Sequence, residues 1–390
     1  MEISLNFSKV LIISTADWDH PLQTNKQHVA RSLASMGLQI LYVETLGLRP
    51  ITQREIGDGA RIARRLKNAF RGPHQRASNI SVVSPLVLPN WGSGIVRSVN
   101  RLALGVQTSL WMLAWGRPDL VISYSPVGAV VLTPFVVGLK KDRMKVVYHC
   151  VDDIAAQPGM PSGVIERFEG SLIKKVDGVV TTSKRLAERA TALGACRVLE
   201  QTNVVDYERF AQARETTARR HDGVVVGFVG ALSEYKVNMA WVEKAAQLRP
   251  DLEFRLYGPR DETSLKGSAG AIPENIHFMG PLGSDDVPLA MAEFDAAIIP
   301  APFNRYTESM FPMKFFEYMA AGVPVVASNL SSLRAFRDSA ILVNDFDGFL
   351  AGIDSALAGG GPSRQARLAT AEMHTYEVRT REMLIEIESW

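Results

Sequence analysis

The chain has 390 residues, 46% hydrophobic and 22% charged, with a formal net charge of +2. That length exceeds what one core usually supports, so two globular domains are expected, and the nearly balanced charge gives no global field for nucleic acid. Cys150 and Cys196 have neither metal-like nor redox-like spacing, and the opening MEISLNFSKV lacks the basic start and long apolar region of a signal peptide, so a cytoplasmic protein is expected.

In chain order, the apolar run VLIIST leads into ADWDHPLQTNKQHVARSLASMG, a strand opening into a loop and then a helix. Asp17, Asp19, His20 and His28 lie on that step, where polar groups suit a polyhydroxylated acceptor or are simply solvated. After ILYVET, the stretch from Arg49 to Arg76 holds eight basic and two acidic residues, a net of +6. Within it RIARRLKNAF sets Ile62, Leu66 and Phe70 four residues apart among Arg61, Arg64, Arg65 and Lys67. This basic amphipathic helix, Arg61 to Arg71, is either an ordinary surface helix or an attachment to an anionic membrane surface, worth about 1 kcal/mol per basic residue.

The run ISVVSP follows, and then Leu120 to Leu139, 20 residues without a charge. That is long enough for a membrane span, but Pro126 and Pro134 divide it, so DLVISYSP reads as a buried strand and the rest as a packed helix. In KVVYHCVDDIAAQPG, His149, Asp152 and Asp153 come at the carboxyl end of a strand, a place for an acid or base; two adjacent Asp equally suit a cap or turn. GVVTTS and RVLEQTN complete the first half. The polar stretch Asp206 to Gly223 is the expected seam: an N-terminal domain over 1–206, a linker over 207–222 and a second domain over 223–374. The helical pattern of 375–390 then crosses back.

The second half repeats the alternation with VVVGFVG, EFRLYG, IHFMG, AAIIPAP, PVVASN and AILVN. Continuous Val and Ile runs separated by helices indicate an α/β chain of two Rossmann-like, doubly wound parallel-sheet domains facing across a cleft, with ligands at the carboxyl ends of the strands. In GFVGALSEYK, Gly227, Gly230 and Lys236 form a glycine turn and a cation, suited to phosphate or to a structural turn; the dinucleotide fingerprint is missing. In ESMFPMKFFEYMAAGVPVVAS, Lys314 and Glu317 share a helix face behind Pro312, giving either a surface ion pair or an anion cradle. No arrangement resembles a metal site.

Taken in order, GALSEYK, the stretch NIHFMGPLGSDDVPLAMAEFDAAIIPAPFN and PMKFFEYMAAGVPVVAS resemble the donor-binding half of GT-B glycosyltransferases similar to glycosyltransferase family four. TNVVDYERF is similar to the Asn-Gly-Val-Asp ending of their first domain, with Val204 for the glycine. The resemblance implies a nucleotide-sugar donor, UDP- or GDP-linked, with no bound cofactor and no required metal. It places Gly230 and Lys236 near the diphosphate, Lys314 either at the phosphates or in support of its own helix, the amides from Ser309 and Met310 onward as the cradle, Glu317 at the ribose, and Tyr257, Gly258, Pro281 and Leu282 near the base. Two departures stand out: the Glu-x7-Glu of retaining members has Ser309 at its first place, with Glu308 one residue out of register, and Ala231 replaces a common Arg. VVYHCVDDIA and STADWDHPLQTNKQHVA also resemble the xanthan glucuronosyltransferase, whose Tyr-x3-Asp spacing falls on Tyr148 and Asp152 and implies Asp152 as the catalytic base, with His149 on the acceptor side. The expected function is sugar transfer to a lipid-linked or saccharide acceptor in surface polysaccharide or glycolipid synthesis, by a protein peripheral on the inner face of the membrane. The alternatives are a sugar-nucleotide 2-epimerase or hydrolase, and a non-catalytic scaffold subunit.

Overall fold

A computed structural model describes residues 6–20, 23–47, 68–69, 71–88, 91–128, 144–217, 222–260 and 271–390. Most of the expected basic helix, residues 61–67 and 70, and most of the segment after the strand at Leu120 lie outside them. Among the described residues no helix is long and apolar enough to cross a membrane. The chain divides into two compact units, residues 1–201 with 380–390, and residues 202–379.

The first unit is built on eight strands: β1 (Lys9–Ile13), β2 (Gln39–Val43), β3 (His74–Ala77), β4 (Ile80–Val83), β5 (Leu120–Ser123), β6 (Lys145–Cys150), β7 (Gly178–Thr181) and β8 (Val198–Glu200). They lie in the order β3-β4-β2-β1-β5-β6-β7-β8, all parallel except the β3–β4 pair. The chain winds outward from β1 to β2 and β4, then returns to place β5 on the other side of β1. The β1–β5 junction is therefore the switch point, where ligands of open parallel sheets collect at the carboxyl ends. The sequence pattern missed β3, because HQRA is a polar, largely exposed antiparallel edge without apolar alternation.

Four helices of this unit frame the site: α1 (Asn25–Ser35), α2 (Gly94–Trp115), α3 (Ser162–Ile173) and α4 (Lys184–Ala192). A reciprocal capping box starts α1: Thr24 receives the backbone at its third helical position, while the Gln27 side chain accepts from the Thr24 amide at 3.0 Å. Strand residues Leu11, Ile13, Val121 and Val179, on one face of the sheet, join Leu104, Trp111 and Leu172 from the helices in one core.

The second unit carries β9 (Val224–Val229), β10 (Leu252–Tyr257), β11 (Ile276–Gly280), β12 (Ala296–Ile299), β13 (Val325–Ser328) and β14 (Ile341–Val343). Their order is β11-β10-β9-β12-β13-β14, parallel throughout, so its switch point lies between β9 and β12. Where the sequence suggested a linker, Tyr207–Thr216 forms a helix, α5, whose Phe210 enters the core of this unit. Three buried residues were enough to fix it: Phe210, Ala211 and Ala213. In the first unit the last residues of the terminal helix Tyr376–Ser389 bury Met383, Leu384 and Ile387. Trp390 lies so close to Gly178 that a Cβ there would stand 2.3 Å from the indole.

Candidate functional site

At the second switch point β9 is followed by Gly230, with φ +155°, whose amide donates to the Tyr257 carbonyl at 2.8 Å. Gly258, with φ +141°, sits against this turn so closely that a Cβ on it would lie 1.9 Å from the Gly230 carbonyl oxygen. Two glycines thus let two strand ends meet backbone to backbone, which no residue with a Cβ permits. A Cβ on Gly230 would in turn lie 2.8 Å from the Lys314 Nζ, so the turn is the seat of that side chain. Lys314 opens a seven-residue helix, α6 (Lys314–Ala320).

The loop after Gly230 is tied across the switch point. Asn238 donates its amide to the Pro300 carbonyl at 2.7 Å, and Asn304 Nδ2 donates to the Tyr235 carbonyl at 3.0 Å. Lys236 lies over the rings of Tyr235 at 5.3 Å and Tyr306 at 5.5 Å, and those rings meet edge to face. The buried Ser233 hydroxyl in the same loop has no hydrogen-bond partner among the described residues.

Lys314 and Glu317 are both half-buried on one face of the helix, as their spacing predicts, yet among the described residues they form no ion pair. The Lys314 ammonium stands 5.7 Å from the Phe228 ring centroid. Burial holds its pKa below the ordinary lysine value, Lys236 acts in the same direction, and Glu317 opposes both. Burial raises the Glu317 carboxyl, against the pull of Lys314 and Arg209. Two cations therefore share one field at the switch point.

The other expected donor residues divide. Ser309 is buried, its hydroxyl donating to the Arg305 carbonyl at 2.9 Å, and the amides of Ser309 and Met310 both donate to the Tyr306 carbonyl. Those two amides are thus already occupied within the turn, whereas the amides of Phe311, Met313 and Lys314 have no acceptor among the described residues. Tyr257 packs its ring on Phe294 at 6.0 Å and reaches the site through its carbonyl. The Glu308 carbonyl accepts from the Ser331 hydroxyl at 2.9 Å.

In the first unit the switch point gathers a different set. Tyr124, just past β5, stacks on His149 of β6 with ring centroids 4.7 Å apart, and the buried Lys26 of α1 lies over the Tyr124 ring at 5.9 Å. Burial, reinforced by Lys26, pushes the His149 pKa down to about 3, so it is neutral across the physiological range. The His149 Nδ1 and the Ser125 hydroxyl are buried without a hydrogen-bond partner among the described residues. Lys26 and Tyr124 were not foreseen, because nothing local marks a lysine in TNKQHVA as buried.

Asp152 and Asp153 separate sharply. Asp153 is buried and paired with Arg189 at 2.6 Å; the same guanidinium holds Glu169 at 2.6 Å, and Glu169 accepts from the Tyr148 hydroxyl at 2.9 Å. Tyr148 of the Tyr-x3-Asp spacing is thus part of a buried network, leaving the half-buried Asp152 as the carboxylate nearer solvent. On the loop after β1, Asp19 is exposed and pairs with Arg76 at 2.5 Å, and His20 is exposed. The Asp17 carbonyl accepts from Gln27 Nε2 at 3.0 Å, and His28 is half-buried on α1. Glu44, also unforeseen, fixes this loop by accepting from the Trp18 amide at 3.0 Å and from the Ser84 hydroxyl.

Two doubly wound parallel sheets with their switch points so furnished define the GT-B class of fold. Solved structures agree over nearly the whole chain: sucrose-phosphate synthase of Thermosynechococcus elongatus, with TM-score 0.70 and 13% identity over 96% of this chain and 97% of that one. Anabaena HepE in complex with UDP matches with TM-score 0.62 and 16% identity over 98% and 99%. Residues 223–359 match the family model described as Glycosyl transferases group 1. Relatives include the Bacillus subtilis protein named "Putative teichuronic acid biosynthesis glycosyltransferase TuaH", 31% identical over 48% of this chain and 51% of that protein. The phosphatidyl-myo-inositol mannosyltransferase of Mycobacterium tuberculosis H37Rv is 29% identical over 63% and 64%. The chain therefore spans about half the length of the first and less than two thirds of the second.

Proposed function

We propose that this protein is a glycosyltransferase that binds a nucleoside-diphosphate sugar at the β9–β12 switch point of its second unit and transfers the sugar to a hydroxyl of a lipid-linked or saccharide acceptor. The observation that carries the reading is the seating of Lys314 against the Gly230 turn, with Lys236 on the loop that leaves that turn. Two cations on the same strand-end turn and the loop that follows it, with no ion pair to either among the described residues, favour an anion beside them. The Gly230 turn lets the backbone approach that anion, and the orphan Ser233 hydroxyl offers it a donor. A diphosphate supplies the charge, and the same cations then stabilise the charge that grows on it as it leaves.

The half-buried carboxylate of Glu317 is one helical turn from Lys314 and is the group proposed to accept hydrogen bonds from the ribose. In the first unit Asp152 is the proposed base for the acceptor proton, a role worth about 10² to 10⁴ in rate. The names of the relatives, in teichuronic acid and phosphatidyl-myo-inositol chemistry, support a surface polysaccharide or glycolipid as product. The proposal includes action at the cytoplasmic face of the membrane, to which the basic segment 61–71, with five arginines and lysines, would hold the protein peripherally.

A thermal-shift panel of UDP, GDP, ADP and CDP tests the donor site. A ligand at 100 times its dissociation constant stabilises the folded state by about 2.7 kcal/mol. One uridine or guanosine diphosphate should raise the melting temperature, and Lys236→Met should abolish the rise. A panel with no response would remove the donor reading; an Asp152→Asn variant that binds donor and turns over normally would remove only the base assignment.

A further inference from the structure

We infer that helix α2 is a membrane-docking surface, and that it lies on an anionic lipid bilayer with its outer face in the acyl region. The face is formed by Ile95, Val99, Leu102, Val106, Leu110 and Leu113, each between 45% and 83% exposed. At 100° per residue these six fall within an arc of about 80°. That arc is opposite the face that enters the core, where Asn100, Leu104, Thr108 and Trp111 are buried. The helix thus has two apolar sides, one serving the fold and one facing outward. A soluble surface helix has a polar outer face, and a contiguous apolar ridge rimmed by polar groups marks an interaction site.

Charge selects the occupant. From Gly59 to Pro118 the sequence contains nine basic residues, Arg61, Arg64, Arg65, Lys67, Arg71, Arg76, Arg97, Arg101 and Arg117, and no acidic one. Arg101 is exposed on α2 about 100° round the helix from Leu102, the nearest edge of the ridge, and Arg97 donates to the carbonyls of Trp91 and Gly92 at the start of the helix. A hydrophobic ridge within a wholly basic stretch matches an anionic lipid surface, where acyl chains receive the aliphatic groups and headgroups the arginines. The helix lies along the surface and does not cross the bilayer, because its other side is held in the core by Leu104 and Trp111. This inference stands on exposure and charge, and not on the glycosyl-transfer reading.

The test is co-sedimentation of the full chain with vesicles of phosphatidylcholine alone and of phosphatidylcholine mixed with phosphatidylglycerol. The wild-type protein should bind the mixed vesicles and lose most of that binding in high salt. Leu102→Asp/Leu110→Asp should weaken the partition at least tenfold while leaving the melting temperature and nucleotide response unchanged. Leu102→Ser/Leu110→Ser, the milder pair, answers the same question should the charged pair disturb folding. Failure of the wild-type protein to bind mixed vesicles, or wild-type binding by both pairs, would overturn the inference. So would sedimentation velocity showing a wild-type dimer that these variants dissociate, with no vesicle binding, since the face would then join two copies of the chain. A variant with Arg61, Arg64, Arg65 and Lys67 changed to Gln separates the two surfaces: if it alone abolishes binding and the leucine pairs do not, the basic segment is the anchor and α2 is not.

Discussion

Replacing Gly258 by Ala is the sharpest test of how the second unit builds its site. A Cβ at that position would stand 1.9 Å from the Gly230 carbonyl oxygen and 2.7 Å from the carbonyl carbon. Both atoms are backbone, so no side chain can swing away and one of the two strand ends must move. Forcing a methyl group into a packed site costs about 1–3 kcal/mol. The left-handed conformation of Gly258, φ +141°, adds about 1–2 kcal/mol for a residue with a Cβ. Together these predict a loss of about 2–5 kcal/mol, which for a unit of this size lowers its melting temperature by roughly 5–15 °C.

The functional effect should be larger than the stability effect alone implies. Gly230 is the seat of Lys314, and a backbone shift of about 1 Å there displaces the ammonium from any bound diphosphate; misplacement of that size can cost about 10²-fold. Calorimetry of the second unit's transition, with nucleotide titration on the folded variant, measures both. Gly223→Ala is the matched control, because a Cβ there meets nothing within 4 Å and the backbone is not left-handed. If Gly258→Ala melted within about 2 °C of the parent and bound nucleotide equally well, the close approach of the two glycines would not be what shapes the site.

Three further outcomes follow from the charged groups. Because burial lowers the Lys314 pKa, nucleoside diphosphate affinity should fall on the alkaline side as that ammonium loses its proton, by roughly tenfold per pH unit, and Lys314→Arg should flatten the profile; titration calorimetry showing the same slope in both proteins would refute this. His149, neutral in the fold with a pKa near 3 and ordinarily near 6.5, binds its proton only on unfolding, so stability should drop as pH falls through that window, by about 1.4 kcal/mol per unit, and His149→Gln should remove about one proton from the slope of denaturant-measured stability against pH. Arg189→Met leaves the buried carboxylates of Asp153 and Glu169 without their shared cation and should cost about 3–5 kcal/mol, read as a lowered urea midpoint; an unchanged midpoint would mean that the network carries no net stability.

The strands were legible because burial on both sheet faces writes itself as unbroken Val and Ile runs, and all thirteen apolar runs coincide with strands. β3 and α5 were not, and for the same reason: a polar edge strand and a helix with few buried positions leave no periodic apolar signal. Glycine spacing placed the turn at Gly230 correctly, but only coordinates reveal that Gly258 presses on it, since the two are brought together by strand pairing and not by chain proximity. Lys26, Ser233 and Glu44 are likewise products of tertiary placement.

The same distinction decides the meaning of Lys314 and Glu317. Helical spacing put them on one face, which is as much as local geometry can say, and an exposed pair of that kind is worth under about 1 kcal/mol. In the fold they are half-buried and do not pair, and the ammonium is turned toward Phe228 and the Gly230 turn. On the proposed reading, a half-buried cation that does not close the ion pair one turn away leaves its charge for an anion. A diphosphate would then meet the Lys314 ammonium while Glu317 accepts hydrogen bonds from neighbouring hydroxyls.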